Sequence, residues 1–240
     1  MPLGAPVSRS NMALPSERLL ARASVRLEPR FEEHTGLFAS HLNASASLGN
    51  VELREAVKTP AGVDRKDWIA GMTIPIFNEL VFLVNVLEDE CTKETCPAMS
   101  AGRHFFYVWP DPETGSNRQL PAHVYMCELV EWAHDILKGD MPENFEETMK
   151  TLHKRFFRVY AHAYIHHFEA ICAHGSEAHL NYTFKHWLFF VRAHGLVPDE
   201  DLAPLRELIA KFEERQDQSE AELAKSHAAG TAAKPAGATA

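Results

Sequence analysis

NFEETMKTLHKRFFRVYAHAYIHHFEAI, Asn144–Ile171, carries the densest pattern in this chain. Its apolar residues recur at Phe145, Met149, Leu152, Phe156, Val159 and Ala163, in alternating steps of four and three. At about 100° per residue these positions fall within roughly 80° of one another, so the stretch predicts one long helix with a buried stripe. Lys150, Lys154 and Arg158 fall on the opposite side, with His153 and Arg155 nearby. The last turns add His162, His166 and His167. A cationic face and a histidine cluster are therefore expected on one rigid element that is anchored by its core stripe.

Composition sets the frame for that helix. The chain has 240 residues, 45% of them hydrophobic, which suits a globular protein with a sizeable core. A net charge of −9 argues against general nucleic-acid binding. The apolar run at Leu80–Val86 is too short to span a membrane, so no membrane span is expected. The N-terminus lacks the basic-then-apolar layout of a secretory signal. Four cysteines do not make a disulfide framework, and the expected location is intracellular.

The rest of the chain reads as helices around this one. Residues 1–30 mix Pro, Ser, Ala and Arg without sustained periodicity, Phe31–Ser47 reads ambiguously, and residues 1–43 are expected to form a largely disordered extension. A short helix is expected over Glu52–Val57, ending before Pro60. A longer one runs through Ile76, Leu80, Leu83 and Leu87, with Pro75 in its first turn, where a missing N–H costs least. HFFYVW, His104–Trp109, predicts a strand, and PDPETGSN, residues 110–117, a turn-rich connector to a second strand within Arg118–Leu120. Helices are predicted over Pro121–Leu137 and Glu177–Ala193, and a last one over Asp201–Phe212 with Pro204 in its first turn. From residue 213 the text turns charged, then Ala/Gly/Lys-rich, and reads as a low-complexity disordered tail. The expected organisation is one mostly helical domain, 44–212, between two tails.

Cys91 and Cys96, with four residues between them, sit in a polar, loop-forming segment, CTKETC. With two histidines they would make a Cys2His2 set whose two thiolates and two neutral imidazoles balance a Zn2+ ion. Helix geometry favours His162 with His166, about 40° apart around the axis, over His162 with His167, about 140° apart.

Several segments together resemble one known family. LGNVELREAV (residues 48–57), Trp68-Ile69-Ala70, CTKETCPAMSAG (91–102), KRFFRVYAHAYIHHF (154–168), EAHLNYTFKHWLFFV (177–191) and LAPLRELI (202–209) look, in collinear order, like the Mob/phocein family of kinase co-activators. The resemblance covers Ala44 to Lys211. It implies a Mob-type helical bundle with a four-helix core, a small β-hairpin and a structural zinc site held by Cys91, Cys96, His162 and His167. That ligand set conflicts with the choice of His166 from helix geometry, and the two stand side by side at this point.

The resemblance also implies two docking surfaces. Lys154, Arg155 and Arg158 match a set that binds a phosphorylated segment of an upstream Hippo-type kinase; guanidinium groups chelate phosphate oxygens in bidentate fashion. Lys150 extends the patch. Asp67, Trp68 and His186 match positions on an acidic surface that binds the basic N-terminal region of an NDR/LATS-type protein kinase, although Trp68 reads equally as a core aromatic. Val63 and Pro75 depart from acidic positions there, which leaves the choice of kinase open. Ser47 stands where relatives often carry a phosphorylatable Thr. The implied function is a non-catalytic co-activator and adaptor in Hippo-type signalling or mitotic exit, cytoplasmic, with the nucleus and the cell cortex or spindle pole as further locations. A phocein-like scaffold subunit of a phosphatase–kinase assembly is the alternative. No H-E-x-x-H, G-x-S-x-G, P-loop or G-x-G-x-x-G motif occurs, and four ligands would close the metal to water, so no enzyme is expected.

Overall fold

The computed structural model describes residues 53–111 and 113–232. The N-terminal extension and Ser47 lie outside the described residues. The elements run α1 (Leu53–Ala56), α2 (Arg65–Val86), β1 (Ser100–Ala101), β2 (Phe105–Phe106), β3 (Val108–Pro110), β4 (Asn117–Gln119), α3 (Ala122–Lys138), α4 (Phe145–His166), α5 (Phe168–Ala173), α6 (Glu177–His194), a 3-10 helix (Asp199–Leu205) and α7 (Arg206–Ala232). Helices α2, α3, α4 and α6 form the bundle, and the two hairpins lie along the loop side of α4. This is the mostly helical architecture expected from the sequence.

The six stripe residues of α4 are all buried. Beside the stripe, the same helix meets an aromatic wall on α6. Phe157 stacks on Trp187 with ring centroids 5.6 Å apart, Tyr160 lies 5.7 Å from the same indole, and Phe184 stacks on it at 5.7 Å. Phe156, Phe157, Tyr160, Phe184, Trp187 and Phe190 are all fully buried. At about 1.5–3 kcal/mol for each large apolar side chain removed from water, this cluster is a major source of the bundle's stability.

α2 begins where Asp64 accepts hydrogen bonds from the backbone N–H groups of Lys66 (2.8 Å) and Asp67 (3.2 Å). Pro75 therefore lies inside the helix and not in its first turn. An interior proline costs about 3 kcal/mol. Burial of its neighbours Ile74, Ile76 and Phe77, at about 1.5–3 kcal/mol each, outweighs that cost. α2 is also long and apolar enough, by length and composition, to cross a membrane, which the short run at 80–86 did not suggest; most of that window is packed inside the protein.

Three further boundaries differ from the sequence reading. The segment His104–Trp109 is two strands. Phe105–Phe106 pairs back onto Ser100–Ala101, while Val108–Pro110 pairs with Asn117–Gln119. The long helix over residues 144–171 breaks at His167, whose φ and ψ of −128° and 7° leave the helical region. The last helix does not stop at Phe212 but continues to Ala232. Its extension faces the body at Arg54, which pairs with Asp217 and Glu220 and donates to the Glu213 carbonyl, while Arg192 pairs with Glu213.

His153, placed near the cationic face by its angle, is fully buried instead. Its Nε2–H donates to Thr73 Oγ1 at 3.1 Å, and the Thr73 hydroxyl donates to the Ile69 carbonyl at 2.6 Å. The ring packs edge-on against Phe156 and tilted against Phe190, at 5.4 and 5.3 Å. Burial, and then the charge of His194, push its pKa down from 6.5 to about 3. Between those values the unfolded chain binds a proton that the folded chain refuses, so the stabilising contribution is complete above about pH 6.5 and is lost as pH falls toward 3. Stability should then fall on acidification with up to about 1.4 kcal/mol per pH unit from this one group. Denaturant titrations of the wild type and His153→Gln between pH 7 and pH 5 check this: the variant is expected to show the shallower slope, and equal slopes would exclude His153 as the cause.

Candidate metal centre and cationic groove

The Cys91–Cys96 loop leaves the end of α2 and folds back against the C-terminal end of α4. Thr95 Oγ1 shapes it, donating to the Glu90 carbonyl at 2.8 Å and accepting from the Thr92 N–H at 2.9 Å. Both thiols then face the histidines. Cys91 Sγ lies 3.4 Å from His162 Nε2, Cys96 Sγ lies 3.3 Å from His167 Nε2, and the two Nε2 atoms are 3.2 Å apart. All four donor atoms fall within 4.8 Å of one another, and all four residues are buried. A tetrahedral ion with metal–nitrogen bonds of about 2.0–2.1 Å and metal–sulfur bonds of about 2.3 Å has N–N and N–S edges near 3.3 and 3.6 Å. The donor set fits one ion.

Supporting groups point the same way. His162 Nδ1–H donates to the Ser100 carbonyl at 2.8 Å, which fixes the tautomer and turns the Nε2 lone pair to the centre. Burial lowers the His162 pKa to about 4, and burial likewise lowers that of His167, so both rings are neutral and free to ligate. Burial first, and then the Cys96 thiol, raise the Cys91 pKa. A bound dication reverses that last effect, because it holds thiols as thiolates.

His166 is not part of this donor cluster. Its Nε2 accepts from the Gly102 N–H at 3.2 Å and faces the Ser100 hydroxyl at 3.1 Å, outside the donor cluster. The break at His167 explains why ideal helix geometry pointed to His166 whereas the donor cluster contains His167. Leaving the helical dihedrals at that one position lets the His167 ring meet His162 in spite of the nominal 140° between them.

On the exposed side of α4, Lys154, Arg155 and Arg158 form a walled groove. The Arg155 guanidinium lies between two indoles, 4.3 Å from the Trp109 ring centroid and 4.2 Å from that of Trp132. Each such contact is worth about 0.5–2 kcal/mol, depending on desolvation. Arg158 lies over the Tyr107 ring at 4.9 Å and donates from Nη1 to the Tyr125 hydroxyl at 2.7 Å. Lys154 Nζ pairs with Asp201 at 2.7 Å. Burial, and more weakly the Arg158 charge, pull the Arg155 pKa down, yet it stays far above neutrality as for any arginine. Three cations are thus held in place and aimed along one face, an arrangement suited to a multiply charged anion.

A family model described as Mob1/phocein family matches residues 45–205. The chain belongs to the Mob1/phocein family. It is 36% identical to MOB kinase activator 3A of Homo sapiens over 199 residues, covering 78% of this chain and 92% of that protein. It is also 36% identical to MOB kinase activator-like 1A of Arabidopsis thaliana over 203 residues, covering 79% and 94%. MOB kinase activator 3B of Homo sapiens is 34% identical over 199 residues.

In this Mob protein two of the three residues expected on a kinase-facing surface are core residues. Trp68 is 0% exposed, and its indole N–H donates to the Val57 carbonyl at 3.0 Å. His186 is 1% exposed, with its Nδ1–H on the Glu79 carboxylate at 3.0 Å. Burial disfavours the His186 cation, but the Glu79 charge and hydrogen bond prevail and raise its pKa. Asp67, half-buried in the first turn of α2, keeps a surface. The sequence reading missed the walls of the groove, Trp109, Trp132, Tyr107 and Tyr125, and the partner carboxylate Asp201. Nothing in their spacing relates them to α4, since the Trp109 strand and the Trp132 helix meet Arg155 only in the fold.

The metal assignment has a direct check. Purified protein is expected to carry one ion per chain by plasma mass spectrometry. His166→Ala should keep that ion, whereas His167→Ala and Cys96→Ser should lose it, at a stability cost on the order of several kcal/mol. Loss of the ion in His166→Ala with retention in His167→Ala would reverse the assignment.

Proposed function

We propose that this protein is a non-catalytic co-activator and adaptor of an NDR/LATS-type protein kinase, and that Lys154, Arg155 and Arg158 bind a phosphorylated segment of an upstream Hippo-type kinase. The observation that carries the reading is the groove itself. Aromatic walls hold Arg155 and Arg158 before any ligand arrives, so little side-chain entropy remains to be lost on binding. A phosphoryl group brings a charge of about −1.5 to −2 and three acceptor oxygens, which three cations on one face can satisfy.

The relatives' names support the kinase part, since each is called a kinase activator. The docking face for the kinase is the exposed side of α2 around Asp67. Trp68 and His186 act on it from beneath: Trp68 anchors the start of α2 to Val57, and His186 ties α6 to Glu79 of α2. The ion of the Cys91–Cys96–His162–His167 centre is structural zinc. Two thiolates and two imidazoles fill four positions, leave none for water, and clip the cysteine loop to α4. The adaptor works inside the cell, in keeping with four cysteines that form no disulfide with one another.

Two measurements test this reading. Calorimetric titration with phosphothreonine peptides should show affinity falling by about 30-fold or more in Lys154→Ala/Arg155→Ala/Arg158→Ala, since charge-assisted hydrogen bonds contribute about 1.5–3 kcal/mol each. Unchanged affinity in a variant that still melts cooperatively would remove the groove from the mechanism. Recombinant protein should also bind and stimulate an NDR- or LATS-type kinase through that kinase's N-terminal region, and Asp67→Lys should weaken the binding. Binding to neither kinase class would favour the phocein-like scaffold instead.

A further inference from the structure

The cationic groove already contains a carboxylate from its own chain. Asp201 Oδ1 lies 2.7 Å from Lys154 Nζ, and among the described residues Asp201 has no second ion pair. The residue belongs to the 3-10 helix Asp199–Leu205, whose neighbouring side chains Leu202 and Leu205 are buried and hold the segment against the domain. The Asp201 backbone N–H is separately satisfied by the Pro198 carbonyl at 3.1 Å. Asp201 therefore sits on a fixed backbone, with a carboxylate that can rotate away without disturbing the helix.

Resting on the reading of this groove as a phosphopeptide site, we propose that Asp201 is an internal competitor: a tethered carboxylate that occupies Lys154 until the phosphoryl group of the incoming segment displaces it. The groove holds three cations and one carboxylate, so its resting charge is partly cancelled. A carboxylate on the same chain has an effective concentration of about millimolar or higher, which a dilute monoanion cannot match. A phosphoryl group of about −1.5 to −2 charge takes over Lys154 while also engaging Arg155 and Arg158. The two anions repel each other at that range, so Asp201 swings out as the ligand seats. Asp201 thereby sets the affinity threshold of the site, and ligand binding breaks its ion pair with Lys154 while the backbone of the 3-10 segment stays in place.

A competitor and a positioning residue predict opposite signs. If Asp201 competes, Asp201→Asn tightens a phosphothreonine peptide by about three- to fivefold, the scale of one partly exposed ion pair. If Asp201 merely orients Lys154, the same change weakens binding. Asparagine is nearly isosteric and suits the start of a helix, so the variant's melting curve should match the wild type's. The experiment is a calorimetric titration of one phosphothreonine peptide, selected for binding to the wild-type protein, into wild type, Asp201→Asn, Lys154→Ala and the double variant. Tightening by Asp201→Asn that disappears in the Lys154→Ala background supports the proposal. Unchanged or weaker binding in Asp201→Asn, while Lys154→Ala/Arg155→Ala/Arg158→Ala loses the peptide, overturns the proposal and leaves the groove standing. Wild-type affinity in the triple variant would remove the groove reading, and this inference with it.

Discussion

Helix α4 turns about 100° per residue, and everything it carries must share that circle. The core stripe takes one side, where Leu152, Phe156 and Val159 are buried without residual exposure. Lys154, Arg155 and Arg158 must then face away from the stripe, and they meet solvent and the hairpin layer. His162 lies far enough toward the C-terminal end to meet the cysteine loop, with its Nδ1 on Ser100. The metal centre and the groove thus belong to one rigid body: a change that rotated α4 by one residue would put the cations into the core and the stripe into water.

That shared helix gives the metal centre its structural meaning. The loop from Glu88 to Cys96 has little apolar content of its own, and its two cysteines are its buried anchors. Closing the donor set ties that loop to α4 and, through the Ser100 carbonyl, positions the first hairpin. The second hairpin follows directly and supplies Trp109, one wall of the groove. A clip at one end of α4 therefore helps to build the cationic surface in its middle.

The groove also shows how a protein keeps strong cations from being idle. Arg155 is half-buried, and its charge is stabilised by two indole faces in place of water. Arg158 has a phenol to donate to, and Lys154 has a carboxylate. Each of these partners also fixes a long side chain that would otherwise lose rotamer freedom on binding.

The sequence alone determined the parts that depend on local periodicity and residue chemistry. The 3.6-residue stripe of α4, the donor types at Cys91, Cys96 and His162, the cationic row and the mostly helical class were all legible there, because each is a property of one segment. The family's motifs carried His167 where spacing alone chose His166. Tertiary structure decided the rest. The break at His167 is a single pair of dihedrals with no residue signature, and it alone brings that ring into the centre. Trp68 and His186 were assigned to a surface, yet they are buried because α1 and the end of α6 close over the start of α2, and Glu79 meets His186 across the bundle. By angle His153 lies at the border between the stripe and the cations, but α2 and α6 pack that flank, so it is a neutral core histidine. Pro75 and the continuation of α7 past Phe212 followed the same rule: burial and long-range ion pairs outweighed local propensity. Which residues wall a site, and which carboxylate occupies it, depends on segments that are distant in the chain and meet only when the chain folds.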